Sequence, residues 1–245
     1  MMELPISKRV LAEAIGTAFL LAAVVGSGIM AERLAAGNVA LALLANAVAT
    51  GAALYALITA FGPWSGAHFN PAVSLVQAAC GEMRWRDSLL YVLAQVVGAV
   101  VGVWIAHLMF ALPIFEWSVH VRTGIGQWAG EFVATFGLLF IIESGRRKSP
   151  AALPATVATY ITAAYWFTSS TSFANPAVTI ARSLTDTFAG IGPNDVVGFV
   201  LAQVVGAAAA VFVTRWLFAG GKNPNEISSA TSYQSTSPQA QPRIG

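Results

Sequence analysis

The chain has 245 residues, 56% hydrophobic and only 10% charged, where an average soluble domain carries roughly 25% charged residues. That deficit excludes an ordinary soluble protein, and a net charge of +2 is too small to draw in nucleic acid. A single cysteine, Cys80, excludes an intrachain disulfide. In chain order the apolar runs predict six membrane-spanning helices: Val10–Met30, Val39–Phe61, Leu89–Leu112, Trp128–Ile142, Ala151–Phe167 and Val196–Phe218. Each is long enough, or nearly so, to cross roughly 30 Å of hydrocarbon at about 1.5 Å per residue. The fourth and fifth are short, so their ends are the least defined. Met1–Lys8 lacks a clear small-residue cleavage site ahead of a span-length run, which argues against a cleavable signal peptide. With the N-terminus inside, ten of the 13 Lys and Arg residues fall on the cytoplasmic side, leaving Arg33, Arg122 and Arg182 at or beyond the outer face. That positive-inside bias places both termini in the cytoplasm. Pro113–Gln127 reads as an external connector, and the Ser-, Pro-, Gln- and Asn-rich tail at 220–245 as disordered.

Three motifs occur twice in the same order. Glu13-Ala-Ile-Gly-Thr17 in the first span matches Glu131-Phe-Val-Ala-Thr135 in the fourth. Asn70-Pro-Ala-Val73 follows the second span and Asn175-Pro-Ala-Val178 the fifth. LAQVVGA at 93–99 in the third span recurs at 201–207 in the sixth. The offsets are 118, 105 and 108 residues, so two halves, about 7–112 and 128–219, each hold three spans and one NPAV. An odd span count turns the second half over relative to the first. The expectation is an all-α membrane protein built as an inverted repeat, with its site at the midplane between the halves.

Asn-Pro is a helix start, asparagine serving as N-cap and proline as first helical residue. The helices that follow, Pro71–Ala79 and Pro176–Leu184, have about nine residues each and so span about 13 Å. One crosses half a bilayer, and two meeting tip to tip cross all of it. Such broken ends are tolerated only where they are buried or line a watery path. If each asparagine oxygen caps its own helix, its NH2 group is free to donate. A water accepting from both amides has its lone pairs occupied and cannot relay a proton, while the two helix N-termini oppose cations.

On these residues, together with SGAHFNPAV at 65–73 and the glutamine-bearing third and sixth spans, residues 7–219 or so resemble the aquaporin (major intrinsic protein) family. The resemblance implies six transmembrane helices with two re-entrant half-helices, a channel domain over 1–219, a pore in every subunit and a homotetramer. It assigns Asn70, Pro71, Ala72 and Asn175, Pro176, Ala177 to the two pore motifs. Water-selective members and many glycerol channels carry arginine three residues after the second asparagine, where this chain has Val178. Counting from the asparagines puts the other constriction positions at Thr50, Ala163 and Ser172, with Ala163 assuming an ungapped connection. All four are small or medium and uncharged, which predicts a wide filter for neutral polyols and hydroxides. Ser172 also stands where some members have a mercury-sensitive cysteine. NPAVTIARSLTDTFAGI at 175–191 is similar to a bacterial branch that includes channels associated with arsenic resistance, so arsenite joins water and glycerol as candidate cargo.

Glu13 and Glu131 are buried acids in lipid, a costly placement. They support the re-entrant loops through hydrogen bonds, or they are proton-coupling acids of a secondary transporter. His68 lines the cytoplasmic vestibule or is a satisfied structural histidine. Arg182, two turns beyond Asn175, sits in the outer vestibule, snorkels to headgroups or pairs with Asp186 at i,i+4. No metal-ligand spacing, nucleotide loop or nucleophile motif is present, so neither an enzyme nor a cofactor is expected. A membrane scaffold with little flux is the third class of reading. Gly98, Gly102, Gly206 and Ala210 suit close helix packing.

Overall fold

The computed structural model describes residues 4–218, so the polar tail at 220–245 lies outside the described residues. Among them the regular structure is helical throughout: α1 (Ile6–Leu34), α2 (Val39–Ser65), α3 (Pro71–Ala79), α4 (Trp85–Met109), α5 (Ile125–Lys148), α6 (Leu153–Phe167), α7 (Pro176–Arg182) and α8 (Val196–Phe218). Helices α1, α2, α4, α5 and α8 are long and apolar enough to cross a membrane. The fourth predicted span extends at both ends, to 24 residues, because the helix runs on through Arg146, Arg147 and Lys148. Cations there complement the C-terminal end of its dipole. The fifth stays short: α6 has 15 residues and follows a 3-10 turn at Pro150–Ala152, since prolines 150 and 154 confine the chain to a helix start.

Polarity is arranged inside out. Leu11, Phe19, Leu93, Val97, Phe212 and Trp216 are exposed, whereas Glu13, Gln95, Glu131 and Gln203 are wholly buried. Lipid supplies no hydrophobic drive for helix pairing, so contact depends on close backbone approach. Helix α1 packs on α4 and α2, and α5 on α8 and α6. At the first seam a Cβ on Gly98 would run into the Ala14 carbonyl oxygen, and one on Gly102 into that of Ala18. At the second, one on Gly206 would strike the Phe132 carbonyl. Ala210, at the position matching Gly102, is fully buried.

The half-helices α3 and α7 begin at the two Asn-Pro pairs. Asn70 (φ −152°) and Asn175 (φ −158°) are extended, and Pro71 and Pro176 open the helices. Helix α7 stops at Arg182, two residues short of the expected Leu184. Ser183 and Leu184 turn out of it through bonds to the Ile180 and Ala181 carbonyls. The two N-termini meet at the centre of the bundle, where α3 contacts α7.

Candidate functional site

Each asparagine caps its own helix. The Asn70 Oδ1 accepts from the Ala72 N–H at 2.9 Å, and the Asn175 Oδ1 from Ala177 and Val178 at 3.0 and 3.3 Å. The expectation of wholly free amides is corrected. Asn70 Nδ2 donates to the Ala174 carbonyl and Asn175 Nδ2 to the Phe69 carbonyl, both at 2.8 Å. An NH2 group has two hydrogens, so one locks the opposite loop and one remains. The loop residues that present these carbonyls are left-handed without being glycine: Ala67 (φ 49°) and Phe69 (φ 48°), Ser172 (φ 52°) and Ala174 (φ 47°). Such backbone costs roughly 1–3 kcal/mol per residue and persists only where its surroundings hold it.

The surroundings are the glutamates. Glu13 accepts from Ser65 Oγ (2.6 Å), His68 N (3.0 Å), Phe69 N (2.7 Å) and Gln95 Nε2 (2.8 Å). Glu131 accepts from Phe173 N and Ala174 N, both at 2.8 Å, and from Gln203 Nε2 at 2.6 Å. Each glutamine also donates to a hydroxyl one turn into the half-helix, Gln95 to Ser74 at 2.9 Å and Gln203 to Thr179 at 2.8 Å. The three motifs that repeat in the sequence therefore converge on one network per half.

Beside the crossing point lies a narrow cavity of about 60 Å³, walled by Asn70, Asn175, Thr50, Ser172, Val178 and Arg182 among others. A water needs roughly 10–15 Å³ of such space, so a short file of waters fits. Thr50 Oγ1 lies 3.2 Å from the Tyr165 hydroxyl, which also lines the cavity. Ser172 Oγ has no hydrogen-bond partner among the described residues. Ala163 does not belong here: it is exposed on the outer side of α6. That helix turns Val157, Ile161 and Tyr165 inward, four residues apart and hence on one face, and a residue two positions from Ile161 points away. The wall is accordingly bulkier than four small side chains imply.

Arg182 neither snorkels nor pairs with Asp186. It is 2% exposed, its Nε donates to the Ala189 carbonyl, and its guanidinium carbon lies 3.4 Å from the Phe173 ring centroid. Asp186 instead accepts from the Val119 N–H and lies near His120. On the other side of the crossing point, His68 lines two wider cavities of about 200 and 310 Å³. Its Nδ1 is 3.0 Å from Ser74 Oγ.

A family model, the major intrinsic protein, matches residues 1–164. The chain belongs to the major intrinsic protein family. It is similar to the aquaglyceroporin AqpS of Rhizobium meliloti (strain 1021), with 57% identity over 217 residues that cover 89% of this chain and 93% of that protein. The aquaporin NIP1-1 of Zea mays is 29% identical over 94% of this chain and 82% of its own length. In fold, the X-ray structure of the aquaglyceroporin from Plasmodium falciparum matches at a TM-score of 0.65 and 21% identity, covering 84% of this chain and 94% of that one. Family and apolar helices together make this a multi-pass membrane protein of the aquaporin fold.

Three residues of this major intrinsic protein's cavity region escaped sequence reasoning: Tyr165, Phe173 and Arg122. Tyr165 was within reach of a helical count from Val157. Arg122 was not, since the connector that carries it folds back to place its guanidinium 5.2 Å from the Phe173 ring.

Proposed function

We propose that this protein is a passive channel for small uncharged solutes, glycerol and water foremost, in the bacterial inner membrane. The carrying observation is the crossing point, where two capped asparagines are cross-tied through one amide hydrogen each. The second hydrogen of each amide serves the solute file in the cavity they line. A water or hydroxyl accepting from both has no lone pair left to pass a proton. Thr50, Ser172, Val178 and Tyr165 form the filter. His68 borders the cytoplasmic vestibule, and both termini face the cytoplasm. Four subunits assemble, each with its own pore within residues 1–219, and no reaction is catalysed. The similarity to an aquaglyceroporin supports glycerol as cargo. Arsenite is a further cargo, since arsenious acid is neutral at pH 7 and about the size of glycerol.

Proton coupling through Glu13 or Glu131 is the competing reading. The occupied carboxylates weigh against it: four hydrogen bonds converge on one and three on the other. The test is solute entry into proteoliposomes for water, glycerol and arsenite, comparing wild type with Val178→Arg. Glycerol and arsenite entry that the arginine reduces relative to water supports the filter. A wild type that passes only water contradicts it.

A further inference from the structure

The cavity wall carries a full positive charge at an unexpected place. Arg182 lies one turn beyond Val178 on the same face of α7 and lines the same cavity as Val178 and the two asparagines. Its Nε is held by the Ala189 carbonyl and its plane rests near Phe173. The two terminal nitrogens make no hydrogen bond to the described residues, yet they are not among the sealed, unpartnered atoms of the interior. Arg182, although only 2% exposed, is part of the cavity lining. Arg122 supports the arrangement from the connector. Its Nε donates to the Gly190 carbonyl at 2.8 Å, and its guanidinium shares the Phe173 ring at 5.2 Å. Neither guanidinium forms an ion pair among the described residues. Two cations thus stand within reach of one ring at one end of the pore; the Glu131 carboxylate, whose field reaches both, is committed to the loop and to Gln203 and pairs with neither.

We propose that Arg182, backed by Arg122, is the cation barrier of this pore, separating charge from width. An arginine at the Val178 position would narrow the filter and charge it at once. Here the width is left to Val178, Thr50 and Tyr165, and the repulsion is exerted a turn further along by Arg182. A neutral polyol passes and finds N–H donors, and a cation of smaller size is turned back. The inference rests on the neutral-solute channel reading and adds a residue that sets its charge selectivity.

The experiment measures guanidinium and glycerol uptake into proteoliposomes with the membrane potential clamped. Guanidinium is smaller than glycerol, so its exclusion reports charge and not size. A unit charge a few Å from the path, at an effective dielectric of about 20, changes monovalent cation entry by roughly 100-fold. The wild type is expected to show a guanidinium-to-glycerol ratio below about 0.01 on that basis. Arg182→Gln should raise the ratio at least about tenfold, and Arg182→Lys should keep it near wild type. Should Arg182→Gln conduct nothing, Val178→Asp decides, because a carboxylate one turn away cancels the field and must also raise the ratio. A wild-type ratio near one, or a ratio unmoved in the conducting neutral variant, overturns the barrier. A wild type that passes no glycerol at all overturns the channel reading instead.

Discussion

Replacing Glu131 by glutamine separates a structural carboxylate from a proton-coupling one. Glu131 Oε2 accepts from Ala174 N and Gln203 Nε2, and Oε1 from Phe173 N. In Glu131→Gln the single amide oxygen can keep only one side. Placed toward Ala174 and Gln203, it retains two bonds without the charge that strengthens them, and it turns an NH2 against the Phe173 N–H. An orphaned buried donor costs about 1–3 kcal/mol, and reducing two charged bonds to neutral ones costs about 1 kcal/mol more each. The total is about 3–5 kcal/mol, released where Ser172 and Ala174 already hold left-handed backbone. At roughly 2–4 °C per kcal/mol for a chain of this size, the melting temperature should fall by roughly 6–20 °C. The assay is thermal unfolding of the purified protein followed by intrinsic tryptophan fluorescence, with glycerol flux measured on the same preparation. Flux should decline along with stability. A variant that melts within about 2 °C of wild type, yet loses only its response to a pH gradient, refutes the structural role and favours proton coupling.

Gly206→Ala should destabilise by about 1–3 kcal/mol, because the new Cβ meets the Phe132 carbonyl of α5. Gly62→Ala, with nothing within 4 Å of its Cβ, should be neutral or slightly stabilising; thermal unfolding of the pair checks both. Tyr165→Ala should admit polyols longer than glycerol, since it removes the largest α6 side chain of the narrow cavity. Tyr165→Phe, which drops only the hydroxyl facing Thr50, should change the size limit little. Equal polyol cut-offs for wild type and Tyr165→Ala would show that the narrowest point lies elsewhere.

Local and repeated features were legible in the sequence, and long-range ones were not. Asn-Pro starts, two re-entrant half-helices and the pairing of the two halves follow from residue types and spacing. The glutamate–glutamine network is foreshadowed by motifs recurring in order, although nothing local says that Gln95 and Glu13, 82 residues apart, touch. Ala163 fails because counting back from Asn175 assumes a fixed connection, whereas packing sets which face of α6 turns inward. The same packing brings in Tyr165. Arg182 reads as interfacial by composition; it is buried because Phe173 and the Ala189 carbonyl fold over it. The fourth span ends late because hydropathy fades where α5 leaves the membrane, although its hydrogen-bonded helix continues.

The most direct test of passive conduction is glycerol entry into proteoliposomes as a function of the glycerol gradient, with and without an imposed pH gradient. A passive pore predicts entry proportional to the gradient well into the molar range, stopping at equal concentrations whatever the pH difference. Entry that saturates, or glycerol accumulating above the external concentration when the pH gradient is applied, would contradict it.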